Sequence, residues 1–353
     1  MTTNQTILIL MAMLSAGFIT FFSVPVIIRF AHRKGIVDLP DDDRKVHNKK
    51  IPTLGGVALF AGIVISFSAW IGHQPPEYYS YLMAALVIIF IVGLKDDIEE
   101  ISPYTKLIAQ FLAAGLVVIG AGIQLHHFDG FLGINDAGKI DTIIFTTISV
   151  VVIINAYNLI DGADGLAGSV SLVSAIAFGT WFFINAHFPE AMLSFVLAAA
   201  LLGFLFHNFQ PAKIFMGDTG ALMIGFIMSV LAFKMIKLNT GSVAMSFLRP
   251  SGIAFAIMIV PLFDTLRVIL IRVLGRKSPF KADNRHIHHR MIKMGFNHRQ
   301  ISLILSLFTI IIIMVAYLIN RWEIHFFLAF ILLLSFLLLP SLRLVRKIFP
   351  PRR

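Results

Sequence analysis

The sequence predicts an all-α, polytopic integral membrane protein. Three observations predict it: 58% of the 353 residues are hydrophobic against 14% charged, the mean hydropathy is +0.86, and long apolar runs recur along the whole chain. A helix needs roughly 17 to 25 apolar residues to cross about 30 Å of hydrocarbon. Helices satisfy their own backbone donors and acceptors there, so they rather than a barrel are the expected architecture. Soluble domains do not have this composition. The absence of cysteine excludes disulfides and thiolate metal sites, leaving carboxylate, amide and imidazole as ligands.

The first span is Thr6 to Phe30. It lacks a basic leader and a small-residue cleavage site and ends in Arg29, Arg33 and Lys34, so it reads as an uncleaved anchor. Next come Leu54 to Ile71, Tyr79 to Leu94, Lys106 to Ile123, Ile140 to Asn155, Leu166 to Ile184 and Ala191 to Phe206. The last four are Ala221 to Lys237, Ile253 to Val273, Ile301 to Asn320 and His325 to Leu339. Eleven spans result, ten being the alternative count.

With the N-terminus outside, the loops at about 31–53, 95–105, 156–165, 207–220 and 274–300 are cytoplasmic, as is the C-terminus. These segments hold about twenty of the 29 Lys and Arg residues, against about four in the outer loops. Positive charge stays inside, which sets the orientation. The net charge of +10 and the basic tail from Arg343 to Arg353 suit an anionic leaflet and membrane lipids. No recognition fold accompanies the scattered basic residues, so nucleic acid is not an expected partner. No internal repeat is visible, and 1–353 reads as a single integral domain.

Four of the predicted cytoplasmic segments carry polar residues with a pattern. In Asp96-Asp97-Ile98-Glu99-Glu100 the adjacent aspartates point about 100° apart on a helix, so both cannot face one small ion without help from a helix end. The alternative is a solvated helix terminus, and Glu99 and Glu100 read as a solvated face. In Asn155-Ala156-Tyr157-Asn158-Leu159-Ile160-Asp161-Gly162-Ala163-Asp164-Gly165, the two aspartates would share a face if the segment were helical. Gly162 and Gly165 leave room for phosphate to approach the backbone. Carboxylates beside small residues suit Mg²⁺, which takes one or two protein oxygens and completes its shell with phosphate and water. A turn chosen for its geometry is the competing reading.

Gly217-Asp218-Thr219-Gly220 repeats the pattern at the entry to a span, with Lys213 as a phosphate counter-charge and Phe215 as a stacking face or a packing residue. Asn284-Arg285-His286-Ile287-His288-His289-Arg290 offers imidazoles as metal ligands. Its arginines repel a cation and instead suit a diphosphate, to which Arg and His⁺ give charge-assisted hydrogen bonds; a positive-inside loop is the plainer alternative. Arg44, Lys45 and His47 in the first cytoplasmic loop read as phosphate neutralisers or topology charge. Asp264 and Arg267, one turn apart in an apolar run, read as a structural ion pair.

Together these segments resemble the polyprenyl-phosphate N-acetylhexosamine-1-phosphate transferase family. The resemblance runs from Asp38 to about Gln300. It rests on Arg44-Lys45-Val46-His47 with Gly55-Gly56; Asp96-Asp97 with Ser102-Pro103 and Lys106; the Asn155 to Leu166 stretch; Phe215 to Gly220; and His286 to Arg290. Lys95 and Glu100 depart from the usual pattern, where an apolar residue and Asp are common. The Arg-Lys-x-His loop and the His-Ile-His-His-Arg form resemble the branch that moves GlcNAc-1-phosphate from UDP-GlcNAc to undecaprenyl phosphate. That is the committed step for O-antigen, common antigen or teichoic-acid linkage units. The peptidoglycan branch, which moves phospho-MurNAc-pentapeptide, is the runner-up.

The resemblance implies a Mg²⁺-dependent enzyme, with Mn²⁺ as a substitute, in the bacterial inner membrane with its active site on the cytoplasmic face. A homodimer is the candidate assembly. Asp96, Asp97, Asp218 and His288 are the expected catalytic residues, and Asp218, helped by Asp161 or Asp164, the expected metal ligand. Asn155 and Asn158 orient the nucleotide or the metal shell. Arg44, Lys45, His47, Lys213, Phe215, His286, His289 and Arg290 bind substrate, the histidine motif holding the donor diphosphate. The family suggests Asp97 as a base. A phosphate monoester's second pKa is about 6, so little base work remains at neutral pH, and Asp96 and Asp97 are expected chiefly to position the acceptor or the metal. The competing classes are an ion-coupled transporter, which places carboxylates near the midplane in broken, repeat-related helices, and a membrane scaffold.

Overall fold

The computed structural model describes residues 1–36, 51–72, 75–125, 129–130, 138–239, 244–276 and 285–348. Arg44, Lys45 and His47 lie outside them. The described residues form helices α1 (Thr3–Lys34), α2 (Gly55–Trp70), α3 (Tyr79–Ile98), α4 (Pro103–Gly115), α5 (Lys139–Ile160), α6 (Leu166–Ile184) and α7 (Phe188–Asn208). They continue with α8 (Gly217–Leu238), α9 (Pro250–Ile257), α10 (Ile259–Leu274), α11 (Ile287–Lys293), α12 (His298–Leu318) and α13 (Ile324–Ile348). One π-helical stretch, Leu116–Gly120, extends α4.

Among the described residues, eight helices are long and apolar enough to cross a membrane: α1, the extended α4, α5, α6, α7, α8, α12 and α13. Each of the eleven expected segments falls on helix, including α2, which at 16 residues is shorter, and α3, which continues past Leu94 to carry Asp96 and Asp97.

Helix ends follow local chemistry. Ser102 caps α4, its hydroxyl accepting from the Thr105 N–H at 3.2 Å, with Pro103 in the first turn, where its missing N–H costs nothing. Asn297 and Gln300 form a reciprocal capping box at the start of α12.

The expected span from Ile253 to Val273 departs from a straight helix: it breaks at Met258, and α9 and α10 meet at 87°. Pro261 has no N–H to give the carbonyl four residues back, and that carbonyl, of Ile257, instead accepts the Ser174 hydroxyl at 2.7 Å. A broken helix inside a membrane needs such a substitute donor.

Helix α8 is the centre of the bundle. Of its most apolar window 78% is buried, against 28% for α1 and α13 at the periphery. Helices α2, α3 and α5 all pack on it. The approach of α2 and α3 is close because both offer glycine. A Cβ on Gly56 would lie 2.2 Å from the Gly220 nitrogen, and one on Gly93 2.5 Å from Thr219 Cα. These contacts hold the first turn of α8 at the end of the bundle where α3, α5 and α7 finish and α4, α6 and α12 begin.

Overpacking of a tight contact costs about 1–3 kcal/mol. Gly56→Ala is therefore expected to lower the melting temperature of the detergent-solubilised protein. Gly115→Ala, whose added methyl meets open space, is expected to leave it unchanged.

Candidate active site

The polar segments meet around the first turn of α8. Its N-terminal N–H groups have no partner within the helix. Asp97, at the end of α3, supplies one: its Oδ1 accepts from the Asp218 N–H at 2.7 Å, and its Oδ2 from the Thr219 N–H at 3.0 Å and the Thr219 hydroxyl at 2.5 Å. A carboxylate at a helix N-terminus also meets the positive end of the helix dipole. Gly217, in the left-handed conformation at φ 71°, turns the chain into this contact.

Asp96 points elsewhere, as adjacent positions on a helix require. Its Oδ1 accepts from the Ile101 N–H at 2.9 Å, and its Oδ2 pairs with Lys106. The same Lys106 ammonium pairs with Asp218, so one cation ties α3, α4 and α8 together. Asn158, at the end of α5, donates from Nδ2 to the other oxygen of Asp218 at 2.8 Å. Asn155, one turn earlier, hydrogen-bonds Gln110, with Nδ2 2.6 Å from Oε1; Gln110 lies one turn after Lys106 on α4. Lys106 is part of the pattern that carries the resemblance but has no role assigned there, and Gln110, an amide within an expected apolar span, is not singled out there.

Asp161 follows α5 and Asp164 sits in a turn, so the two do not share a helix face. Desolvation and the charges of Asp218, Asp97 and Asp164 push the Asp161 carboxyl up to about 8. Asp164 is engaged in holding the loop. Its Oδ1 lies 3.0 Å from His298 Nδ1, its Oδ2 accepts from the Ala212 N–H at 3.2 Å, and its carbonyl accepts the Ser302 hydroxyl at 2.8 Å. Asn208 joins the same two loops, accepting from the Gly165 N–H at 2.9 Å and donating to the Ile214 carbonyl at 2.8 Å.

The histidine motif opens α11. His288 is buried against the Asp161 loop, where a Cβ on Gly162 would sit 2.2 Å from its Nε2. Gly162 therefore makes room for an imidazole as well as for any ligand. Burial and then the neighbouring His289 pull the His288 ring down to about 3. That environment favours the neutral ring over the imidazolium. His289 lies beside it, ring centroids 4.2 Å apart, and Arg290 is half-buried one residue further on.

His286, its ring parallel to that of His288 with centroids 5.9 Å apart, reaches toward Asp264 of α10. Asp264 Oδ2 is 2.9 Å from His286 Nδ1, and its Oδ1 accepts from the Ile287 N–H at 2.9 Å and from Arg267 Nη2 at 2.7 Å. The expected Asp264–Arg267 pair is present, with the histidine motif attached to it. Lys213 is exposed. Phe215 serves through its backbone, its N–H donating to the Pro52 carbonyl at 2.7 Å and its carbonyl accepting from the Gly55 N–H at 3.0 Å.

Among the described residues, no three His, Asp or Glu side chains converge closely enough to enclose a metal ion by themselves. The donor set nonetheless fits Mg²⁺. Its side chains are oxygen donors gathered on Asp218, Asp161 and Asn158, and Mg²⁺ uses few protein oxygens and finishes its shell with phosphate and water.

Residues 79–236, from α3 through most of α8, match the model of glycosyl transferase family 4. A probable undecaprenyl-phosphate N-acetylglucosaminyl 1-phosphate transferase of Bacillus subtilis is 34% identical over 80% of this chain and 77% of its own. A decaprenyl-phosphate N-acetylglucosaminephosphotransferase of Mycobacterium tuberculosis is 34% identical over 83% of this chain and 78% of its own. An undecaprenyl-phosphate α-N-acetylglucosaminyl 1-phosphate transferase of Yersinia pestis is 30% identical over 81% and 78%.

The chain thus belongs to glycosyl transferase family 4, a family of multi-pass membrane enzymes of the phosphoglycosyl transferase class. Within that family its branch is that of the polyprenyl-phosphate N-acetylglucosamine-1-phosphate transferases.

Asp97→Asn replaces one accepting oxygen with a donor that faces N–H groups. Hydrogen bonds to a charged group contribute about 1.5–3 kcal/mol each, so the variant is expected to melt at a clearly lower temperature. An unchanged melting temperature would remove Asp97 from its role in holding α8.

Proposed function

We propose that this protein transfers GlcNAc-1-phosphate from UDP-GlcNAc to undecaprenyl phosphate at the cytoplasmic face of a bacterial inner membrane. An oxygen of the acceptor phosphate attacks the sugar-bearing phosphorus of the donor. The bond from that phosphorus to the bridging oxygen breaks, UMP leaves, and undecaprenyl-diphospho-GlcNAc remains. The observation that carries the reading is Asp218, held at the N-terminus of α8 by Asn158 and Lys106 beside Asp96 and Asp161.

Attack of one anion on another is limited by charge and alignment, so positioned cations and dipoles are the catalytic need. Bound to Asp218 with Asp161, Mg²⁺ would supply charge neutralisation and in-line alignment. Asp164, occupied by His298 and Ala212, shapes the loop instead of completing the ligand set. Lys106 is placed to follow phosphate charge as it enters between Asp96 and Asp218. Neutral His288, against Gly162, hydrogen-bonds the donor or its leaving phosphate, and Arg290 adds charge. Asp97, committed to the α8 N-terminus, positions Asp218.

The acceptor's prenyl chain has an apolar place to lie. A cavity of about 470 Å³ opens among α5, α8, α9, α10 and α13, lined by Phe145, Val152, Phe233, Met258, Leu262 and Leu266 among others. A transporter would put its carboxylates at the broken helix. The nearest on that helix, Asp264, is six residues past the break and tied to Arg267 and His286.

Purified protein given UDP-[³H]GlcNAc and undecaprenyl phosphate is expected to move label into organic-extractable lipid only with Mg²⁺. No label with any UDP-sugar would overturn the transferase reading, and preference for UDP-MurNAc-pentapeptide would move the protein to the peptidoglycan branch. Asp218→Asn is expected to reduce kcat by a factor of about 100 or more, the scale of a lost transition-state electrostatic contact. Asp97→Asn is expected to lose activity equally at pH 6 and pH 8.5; recovery at pH 8.5 would establish it as a base.

A further inference from the structure

Helix α10 has two faces with different work. At 100° per residue, Met258, Leu262 and Leu266 form one stripe, and all three line the apolar cavity. Asp264 and Arg267 fall on the opposite side, where both are buried. From there Asp264 holds the histidine motif by two contacts, His286 Nδ1 at 2.9 Å and the Ile287 N–H at 2.9 Å, and pairs with Arg267 of its own helix at 2.7 Å. Arg267 in turn donates from Nη2 to the Arg285 carbonyl at 2.6 Å. The segment 285–287 that opens α11 is thus attached to α10 by side-chain hydrogen bonds.

The attachment matters because α10 is a separate rod from α9, packed chiefly on α5. It is separated from α9 by the 87° break at Met258, and the hydroxyl of Ser174 replaces the helix hydrogen bond that would have stiffened the junction. A rigid-body tilt of α10 would carry Asp264, and with it His286, Ile287 and the adjoining His288. The ring of His288 meets Gly162 with no space to spare. A small displacement of α11 therefore changes the contact between the histidine motif and the Asp161 loop.

We infer that Asp264 is a positioning residue that couples occupation of the apolar cavity by the acceptor's prenyl chain to the donor-binding geometry of the histidine motif. The inference rests on the transferase reading above. A chain filling the cavity packs against Met258, Leu262 and Leu266 and selects one tilt of α10; Asp264 transmits that tilt to α11, where His288 and Arg290 meet the nucleotide sugar. Coupling between two binding sites is reciprocal, so the donor tightens the acceptor's hold by the same factor.

The test compares two acceptors with the same phosphate and different chains, farnesyl phosphate and undecaprenyl phosphate, with each chosen at saturation. In the wild-type protein the KM for UDP-GlcNAc is expected to be about fivefold or more lower with the long chain, the lower end of ordinary coupling between sites. In Asp264→Asn the two donor KM values are expected to converge, with transfer still measurable, and Asp264→Glu, which keeps the charge, is expected to restore part of the difference. A merely structural role would lower kcat or stability with both acceptors and leave the KM ratio alone.

A second measurement needs no catalysis and no variant. Adding undecaprenyl phosphate to the wild-type protein is expected to slow backbone amide exchange across residues 285–293 more than farnesyl phosphate does. Equal donor KM values with the two acceptors in the wild type, equal exchange, or an Asp264→Asn protein that keeps the wild-type ratio would each overturn the coupling. Absence of transfer with every acceptor, by contrast, would overturn the transferase reading itself.

Discussion

The structure depends on how the N-terminus of α8 is satisfied. A helix that begins at the edge of a membrane exposes N–H groups that neither lipid nor the helix itself can partner. Asp97 meets that need from α3, accepting from the backbone of Asp218 and Thr219. The glycines of α2 and α3 allow both helices to come within contact of the same turn. Because the capped turn is also the one that carries Asp218, the interaction that closes the bundle sets the position of the site's central carboxylate.

Around that turn the charges are arranged as a balance rather than as pairs. Asp96, Asp218 and Asp161 gather carboxyl groups at one end of the bundle, and Lys106 reaches two of them. Like charges held this close favour any cation that can enter between them, and a phosphate-bound divalent ion is one that also brings its own counter-charge. Asp164 and Asn208 do a different job, binding the 161–165 loop to the 210–214 loop and to α12. Of the two aspartates in that short segment, Asp164 is taken up by contacts between loops, and side-chain contacts, not spacing, set it apart from Asp161.

The helices were legible because lipid imposes a length and a composition on every segment that crosses it. All eleven expected segments fall on helix. The bend between α9 and α10 was not expected, although Pro261 marked it, because proline in a membrane helix signals a kink only when a neighbour supplies the missing donor; Ser174 lies 83 positions away in the chain. The convergence of the Asp96, Asn155, Asp218 and His286 segments at one end followed from counting spans. Their partners did not. Lys106 with Asp218, Asn208 with Gly165 and Asp264 with His286 are contacts between residues 22 to 112 positions apart.

What the sequence determined by itself was the medium, the helical class and the inventory of polar groups at the bundle's end, since hydrophobic length and residue type are local properties. Tertiary structure decided the roles: Asp97 as the partner of a helix start, Asp164 as a loop anchor, His288 as a neutral buried ring and His286 as the hand that α10 holds. Each of those depends on which donor lies within hydrogen-bonding distance and how far water is excluded. Both are properties of packing between helices, which no single stretch of chain encodes.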